Sequence, residues 1–259
     1  MLAGMDVERV QSSLAVTRFG EVRWFDEIDS TNTYLLEQAK LGAAEGLVAV
    51  TDFQSAGRGR LDRTWIAPPG SSLMFSILLR PLASPEHLFH YTMAMALAVA
   101  DSCASVANAK VDLKWPNDVM VGDRKLSGIL SQSVIEGDRV NALVIGVGIN
   151  VNWDNSLPDE ISQRAIFLSQ ISKVDVDREK LLVALLTRYD WYLNTDFPHK
   201  AVEEFSNRCT TIGRNVQVEL DNRVLTGEAK GLTSSGKLIL ATNNAGVMEI
   251  DSGDVVHLR

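Results

Sequence analysis

Three apolar segments follow one another in the middle of the chain with only short gaps between them, at Val111–Trp115, Leu126–Ile135 and Val140–Asn150. Turns are predicted at Gly122-Asp123 and at Glu136-Gly137-Asp138, because glycine next to an acidic residue is typical of hairpins. Parallel neighbours would need a longer crossover connection, usually a helix. The spacing therefore predicts antiparallel pairing of the three segments.

The chain before and after these segments alternates between predicted strands and predicted helices. Further strands are expected at Glu21–Ile28, Leu47–Thr51 and Ser72–Leu79. Helices are expected after the hydroxyl residues Ser30 and Thr31, over Pro85–Val106 and over Asp177–Asn194. This mixture indicates an α+β fold.

The residue pattern changes from Gly213 onward, where short segments of alternating apolar and polar residues are separated by turn residues. The segments are Val216–Leu220, Val224–Ala229, Lys237–Ala241 and Val247–Ile250, and the turns are Asp221-Asn222, Ser234-Ser235-Gly236 and Asn243-Asn244. Closely spaced short strands of this kind predict a small β-barrel. We place the boundary in Asp196–Arg208, which gives a domain at 1–208 and a second at 209–259.

Composition excludes several classes of protein. A net charge of −8 argues against broad nucleic-acid binding, which needs a basic face, and the weak helical pattern before the first strand is too short for a helix-turn-helix module. Two cysteines without a CxxC spacing make a disulfide framework or a zinc site improbable. The sequence has no secretory signal, and its most apolar run, Tyr91–Ala100, is shorter than the roughly 20 residues that cross a bilayer. We therefore expect a cytoplasmic protein that binds no DNA, membrane or protein-held metal.

The segment Gln54-Ser55-Ala56-Gly57-Arg58-Gly59-Arg60 is the most informative stretch for chemistry. Its alternate glycines allow a close backbone approach, and its arginines supply forked donors that fit a carboxylate or a phosphate. No Gly-Lys-Ser/Thr follows, so the segment is not a P-loop. A flexible turn with two solvated arginines explains the segment equally well.

A second polar cluster is Lys114-Trp115-Pro116-Asn117-Asp118, followed by Arg124-Lys125-Leu126-Ser127-Gly128-Ile129-Leu130. Lys114 ends an apolar strand, where a lone ammonium can meet an anion as a compact point charge. For Lys125 alone, a solvated hairpin residue is the favoured interpretation, and Asn117-Asp118 could be only a turn.

Two further motifs give weaker evidence of a ligand-binding site when each is taken alone. Asp29-Ser30-Thr31-Asn32 places free N–H groups and hydroxyls at a helix N-terminus, although a plain N-cap usually explains such a pattern. Gly146-Val147-Gly148-Ile149-Asn150 lacks the third glycine and the helix of a dinucleotide fingerprint. Close packing of a strand against a flat ligand is the better account of its glycines.

Taken in order, these motifs resemble the biotin–protein ligase family: Asp-Ser-Thr-Asn at 29–32, Gln-Ser-Ala-Gly-Arg-Gly-Arg at 54–60, Lys-Trp-Pro-Asn-Asp at 114–118, Arg-Lys-Leu-Ser-Gly-Ile-Leu at 124–130 and Gly-Val-Gly-Ile-Asn at 146–150. Each motif is modest, but five in family order form a specific signature. The resemblance covers residues 21–205, and the segment from 210 to 259 matches the family's C-terminal domain. It implies a mixed, mainly antiparallel sheet flanked by helices, like that of class II aminoacyl-tRNA synthetases, with a small C-terminal SH3-like β-barrel.

The same resemblance implies a reaction and its partners. Biotin is activated with ATP and Mg²⁺ to biotinyl-5'-AMP, and is then transferred to a lysine of a biotin carboxyl carrier protein or of the carrier domain of acetyl-CoA carboxylase and related carboxylases. The resemblance indicates a ligase-only type, without an N-terminal DNA-binding domain, and leaves a homodimer open.

Residue roles are implied position by position. Ser30, Thr31, Gln54 and the backbone at Arg58 should hold the ureido ring of biotin, and Asn32 completes that motif. The remaining biotin or ATP contacts fall on Arg58, Gly59, Arg60, Trp65, Lys114, Asn117 and Lys125. Among these, Arg60 and Lys114 are the expected catalytic residues, and Trp65 should close over the adenine. Asp118, beside Lys114, is a candidate to help the acceptor lysine lose its proton.

Three other functions compete with this interpretation. A lipoate–protein ligase shares the reaction type, but polar Ser30, Thr31 and Gln54 favour a ureido ring over an apolar dithiolane. A non-catalytic sensor of biotin would not need Arg60 and Lys114. Nucleic-acid binding by the C-terminal segment is disfavoured by its acidic residues and its few aromatic ones.

Overall fold

A computed structural model describes residues 5–61, 63–137, 139–153, 158–195, 197, 199–220, 223–242, 246–251 and 253–258. Its helices are α1 (Val7–Leu14), α2 (Thr31–Lys40), α3 (Phe89–Ala107), α4 (Asp159–Arg164), α5 (Leu168–Ser172), α6 (Arg178–Asn194) and α7 (His199–Arg208). The predicted helix at Pro85–Val106 is divided into a 3-10 turn at Pro85–His87 and α3. Of the described helices, none is both long and apolar enough to cross a membrane.

Seven strands form the larger sheet: β1 (Val22–Ile28), β2 (Val48–Gln54), β3 (Ser72–Leu79), β4 (Asp112–Lys114), β5 (Asp118–Val121), β6 (Arg124–Glu136) and β7 (Arg139–Asn150). Their spatial order is β1-β2-β3-β7-β6-β5-β4. Only β1 and β2 pair in parallel, joined through α2, and the remaining neighbours are antiparallel. The expectation of a mixed, mainly antiparallel sheet flanked by helices is confirmed.

The predicted meander contains one more strand than expected. Asn117-Asp118 was considered as a turn, but Asp118 begins β5, which pairs with β4 on one side and β6 on the other. Gly122 takes a positive φ of 59°, as a tight turn between β5 and β6 requires. The last residue of the next predicted turn, Asp138, lies outside the described residues.

Helices cover both faces of this sheet. Successive residues of a strand point to opposite faces, and apolar side chains on each face pack against helices. In β7, Leu143, Ile145 and Val147 join the main core with α3 and α6. The intervening Ala142 and Val144 belong to a second core with Leu35 and Ala39 of α2. Gly146 and Gly148 continue that second face, and this alternation leaves a stretch of sheet beside the start of α2 without side chains.

The C-terminal segment forms a separate antiparallel sheet of β8 (Asn215–Leu220), β9 (Arg223–Leu232), β10 (Leu238–Thr242), β11 (Gly246–Ile250) and β12 (Asp254–His257). The strand order is β11-β10-β9-β8-β12. The four predicted strands are present, and β12 was not predicted. The turns at Asp221-Asn222 and Asn243-Asn244 lie outside the described residues.

The predicted boundary segment Asp196–Arg208 contains α7, which packs Ala201 and Phe205 into the core. The C-terminal segment is then attached to the edge of the larger sheet. Thr210 N–H donates to the carbonyl of Leu113 in β4 at 2.8 Å, and Trp115 N–H donates to Thr211 Oγ1 at 3.2 Å. These bonds bring the C-terminal sheet close to the Lys114–Asp118 segment.

Candidate active site

A cavity of about 280 Å³ opens where the bare stretch of the larger sheet meets the N-terminus of α2. It brings together most of the residues singled out from the sequence. Its lining includes Ser30, Thr31, Asn32, Gln54, Arg58, Gly59, Arg60, Trp65, Asn117, Asp118 and Lys125, together with Arg63, Gly128, Gly146, Gly148 and Asp254. Four of the five sequence motifs therefore contribute several residues each. The motif at 114–118 contributes only its last two positions, Asn117 and Asp118.

The polar end of the cavity is formed where β1 gives way to α2. Ser30 caps the helix through its hydroxyl, which accepts from Thr33 N–H at 3.5 Å, so the plain N-cap interpretation is also satisfied. Thr31 and Asn32 follow in the first turn and are buried. Because a helix N-terminus carries free N–H groups, this position suits a polar ligand group.

A chain of hydrogen bonds fixes the polar side chains at this end. Gln54 Oε1 accepts from Thr31 N–H at 2.9 Å. Thr31 Oγ1 lies 2.6 Å from Ser76 Oγ, which donates to Asn32 Oδ1 at 2.6 Å. Asn32 Nδ2 in turn donates to Gln132 Oε1 at 2.8 Å.

Thr31 and Gln54 keep unused hydrogen-bonding capacity within this chain. Thr31 Oγ1 has one hydrogen, which it can donate to Ser76 Oγ at 2.6 Å or to Gln54 Oε1 at 3.2 Å, and in either case a lone pair of Thr31 Oγ1 is left to accept. Gln54 Nε2 contacts the thioether of Met74 at 3.7 Å, and sulfur is a weak acceptor. The pair therefore offers an acceptor and a donor side by side.

The segment after Gln54 was considered as a flexible turn, but it forms a short hairpin, here called the arginine hairpin (Gly57–Trp65, with Asp62 outside the described residues). Arg58 pairs with Thr64 in an isolated antiparallel bridge. Gly59 N–H donates to the carbonyl of Arg63 at 2.7 Å, and Trp65 N–H to that of Gly57 at 3.0 Å. A Cβ on Gly57 would lie 2.6 Å from the carbonyl oxygen of Trp65, so this close approach requires glycine.

Arg60 points from the hairpin into the cavity, whereas Arg58 is exposed at the rim. The guanidinium of Arg60 donates to Asn117 Oδ1 at 3.1 Å and to the carbonyl of Gly253 at 3.4 Å. Burial lowers the pKa of Arg60, and the nearby carboxylates of Asp254 and Asp118 act against that shift. A half-buried guanidinium whose hydrogen bonds go to neutral acceptors keeps most of its charge available for an anion.

Lys125 supplies a further cation to the cavity, although the sequence alone favoured a solvated residue. Its ammonium lies 2.5 Å from Asp118 Oδ1 and is about a third exposed. Its side chain passes over Gly128, where an added Cβ would lie 3.0 Å from Lys125 Nζ. The neighbouring Asn117 is held by a bond from its Nδ2 to the carbonyl of Ile129 at 2.6 Å.

Lys114 is not among the residues that line the cavity, and its catalytic role stays a prediction. Lys114 ends β4, the edge strand, and its cross-strand partner in β5 is Asp118, which lines the cavity. Lys114 also lies near the C-terminal sheet. There, the pKa of His257 is lowered to about 4 by burial and, to a smaller extent, by the charges of Lys114 and Arg214.

Three glycines form the floor of the cavity. Gly128 and Gly148 are direct partners across β6 and β7, so their missing side chains leave one flat patch. The indole of Trp65 lies on this patch, and a Cβ on Gly148 would come 2.6 Å from its ring. The patch therefore accepts a flat group, and in this structure that group is the side chain of Trp65.

Gly146 adjoins this patch and has no room for a side chain. A Cβ there would overlap the side-chain amide of Asn32, which is already held by Ser76 and Gln132. We expect Gly146→Ala to destabilise the protein by about 1–3 kcal/mol through overpacking, and to weaken ligand binding at the α2 end. Thermal unfolding measures the first effect. The matched control is Gly231→Ala in β9, where a Cβ meets nothing within 4 Å, and an equal loss there would contradict the expectation.

Four residues of the site were missed from the sequence. Ser76 and Gln132 complete the hydrogen-bonded chain, while Arg63 and Asp254 line the cavity. Ser76 carried a signal, because it is the one polar residue inside the apolar run Leu73–Leu79. Asp254 carried none, since only the fold brings the C-terminal segment to the cavity.

Comparison with known proteins agrees with this geometry. Residues 24–150 match the model of the "Biotin/lipoate A/B protein ligase family", and residues 211–258 match that of the "Biotin protein ligase C terminal domain". The chain is 35% identical to "Bifunctional ligase/repressor BirA" of Bacillus subtilis, over 90% of this chain and 72% of that protein. It is 34% identical to "Biotin--[acetyl-CoA-carboxylase] ligase" of Mycobacterium tuberculosis, over 89% of this chain and 86% of that one.

A solved structure provides the same link at the level of the fold. The biotin protein ligase from Aquifex aeolicus in complex with biotin and ATP superposes with a TM-score of 0.77 at 30% identity, covering 93% of this chain and 100% of that one. The matches extend over both sheets. The chain belongs to the biotin protein ligase family.

Proposed function

We propose that this cavity joins biotin to ATP and then passes the biotinyl group to a carrier protein. As a biotin–protein ligase, the chain forms biotinyl-5'-AMP with release of pyrophosphate and transfers biotin to a lysine of a biotin-carrying carboxylase. The observation that carries the proposal is the meeting, in one cavity, of the polar pair Thr31–Gln54 with the cations of Arg60 and Lys125.

The α2 end of the cavity suits the ureido ring of biotin. A cyclic urea presents N–H donors beside a carbonyl acceptor. The free lone pair of Thr31 Oγ1 and the weakly engaged Nε2 of Gln54 are the complementary groups. A dithiolane would leave both unpaired on binding, which costs free energy. This end therefore favours biotin over lipoate.

The cationic end suits the acyl-phosphate junction. A carboxylate oxygen of biotin attacks the α-phosphorus of ATP, the bond to the β-phosphate oxygen breaks, and pyrophosphate leaves with that electron pair. Two anions must approach each other, so fixed cations offset their repulsion and stabilise the charge that develops. We assign this role to Arg60 and Lys125, with Arg58 at the rim and Asn117 holding Arg60 in place.

The second step needs a proton acceptor. The amine of the acceptor lysine attacks the acyl carbon, AMP leaves, and the amine loses a proton. Asp118 stays our candidate helper because it lines the cavity and contacts Lys125. Trp65, which lies on the glycine patch, is positioned to pack against the adenine.

ATP would enter with Mg²⁺, held largely by the phosphates and water, where it would neutralise phosphate charge. The lining residues fit this arrangement, because the carboxylates of Asp118 and Asp254 are already paired with Lys125 and Arg63.

We further propose a catalytic domain at 1–208 of class II synthetase type and an SH3-like domain at 209–259. A biotin carboxyl carrier domain as partner, a homodimer and a cytoplasmic location remain predictions.

Exchange of labelled pyrophosphate into ATP tests the proposed function directly. We expect exchange that depends on biotin, and much weaker exchange with lipoate or with neither acid. The reason is that the reverse of adenylation requires a bound acyl-adenylate. Exchange with lipoate alone would instead make the chain a lipoate ligase, and exchange that ignores both acids would contradict the proposal.

A further inference from the structure

Two consecutive residues of the C-terminal segment, Gly253 and Asp254, hold the arginine hairpin, and Asp254 also lines the cavity. The carbonyl of Gly253 accepts from Arg60 at 3.4 Å. The carboxylate of Asp254 forms an ion pair with Arg63, and its charge raises the pKa of Arg60 against the lowering by burial. Two arginines of one hairpin are thus anchored on a different sheet.

The anchor itself is rigidly placed. A Cβ on Gly253 would come 2.6 Å from Val218 Cγ1, so its backbone lies directly against β8. Asp254 is the first residue of β12 and pairs with Glu219 of β8. Among the described residues of the hairpin, by contrast, the internal backbone contacts are one isolated bridge and short turn bonds. A weakly held segment is therefore tied to a firmly held one.

We infer that Asp254 is a positioning residue, which keeps the arginine hairpin docked over the cavity and so keeps the acyl-adenylate in place. Arg63 is 62% exposed and Asp254 31%, and such pairs add little to global stability. Their effect appears in the local opening of a segment with few other attachments. The part of this inference that concerns the adenylate rests on the proposed function.

The docking itself can be tested without any substrate. Arg58, Arg60 and Arg63 are cleavage sites for trypsin, and cleavage of a transiently opened segment follows the open fraction. We expect Asp254→Asn to speed cleavage within the hairpin about fivefold, the upper range for one partly exposed ion pair. Arg63→Gln should speed cleavage at the other two arginines equally, and the double variant should add nothing further, because both changes remove one contact.

Adenylate release provides the second readout. Labelled biotinyl-adenylate is formed on the enzyme and chased with unlabelled biotin and ATP. Release should rise by about the same factor as cleavage, because both follow the open fraction. Loss of a carboxylate beside an anionic ligand would by itself slow release, so faster release reports the hairpin. Release should also change more than the kcat of exchange, and Asp254→Glu should restore part of the retention.

Asp251→Asn is the matched control, since Asp251 directly follows β11 of the same sheet and pairs at 2.7 Å with Lys237 rather than with the hairpin. Cleavage or release by Asp254→Asn that equals this control overturns the inference, as does an additive double variant. If the unaltered protein forms no biotin-dependent adenylate, the proposed function fails, and hairpin cleavage alone then decides the role of Asp254.

Discussion

Replacing Lys125 by alanine should lower biotin-dependent pyrophosphate exchange by about 10²–10³-fold, the range seen when one donor to a developing charge is lost. The ammonium lies over the backbone of Gly128 in the cavity that Arg60 also lines. Without it, one cation fewer opposes the repulsion between the biotin carboxylate and the α-phosphate. The loss should fall mainly on kcat, because the charge that Lys125 stabilises develops during the reaction.

Comparison with Lys114→Ala separates the geometry from the sequence expectation. Lys114 ends the edge strand and is not among the residues that line the cavity, so we expect its replacement to cost less exchange than that of Lys125. Lys230→Gln, which removes an exposed partner of Glu228 in the C-terminal sheet, controls for the loss of one surface charge. A larger loss for Lys114→Ala than for Lys125→Ala would support the original assignment. Asp118→Asn, measured in transfer from preformed adenylate, reports the proton acceptor separately, and unchanged transfer would exclude that role.

The sequence was most informative where short-range rules apply. The gaps between Val111 and Asn150 leave no room for crossovers, which made antiparallel pairing predictable. The Ser30 cap and the glycines of the arginine hairpin also follow from local backbone requirements. Residues at such positions reached the cavity as expected.

Residues whose place depends on the order of the strands were harder to predict. Lys114 and Lys125 lie in adjacent motifs, and nothing local shows that β4 ends the sheet while β6 lies within it. Asp254 reaches the cavity only because Thr210 and Thr211 attach the C-terminal segment beside Leu113 and Trp115. Periodicity identifies strands, but it does not identify their neighbours.

Replacing Arg60 by alanine should reduce exchange by about 10²-fold or more, for a reason different from that of Lys125. A guanidinium presents two parallel donors that match the oxygens of a carboxylate or phosphate, and it stays charged when buried. Asn117 and Gly253 accept from one nitrogen of Arg60, which leaves other donors for substrate. The free energy of unfolding should change by only about 1 kcal/mol, the usual size for a substitution that removes hydrogen bonds without leaving a cavity in the core.

Arg60→Lys tests whether the charge or the fork matters. It keeps a cation at the site, so a full rescue would show that geometry is unimportant and would contradict the assignment. Burial already lowers the pKa of Arg60, and it lowers the pKa of a lysine in the same way. Because lysine starts from a lower pKa than arginine, its charge is lost first as the pH rises. Exchange by the lysine variant should therefore fall with rising pH in a range where the unaltered protein holds its rate, and parallel pH profiles would contradict this expected loss of charge.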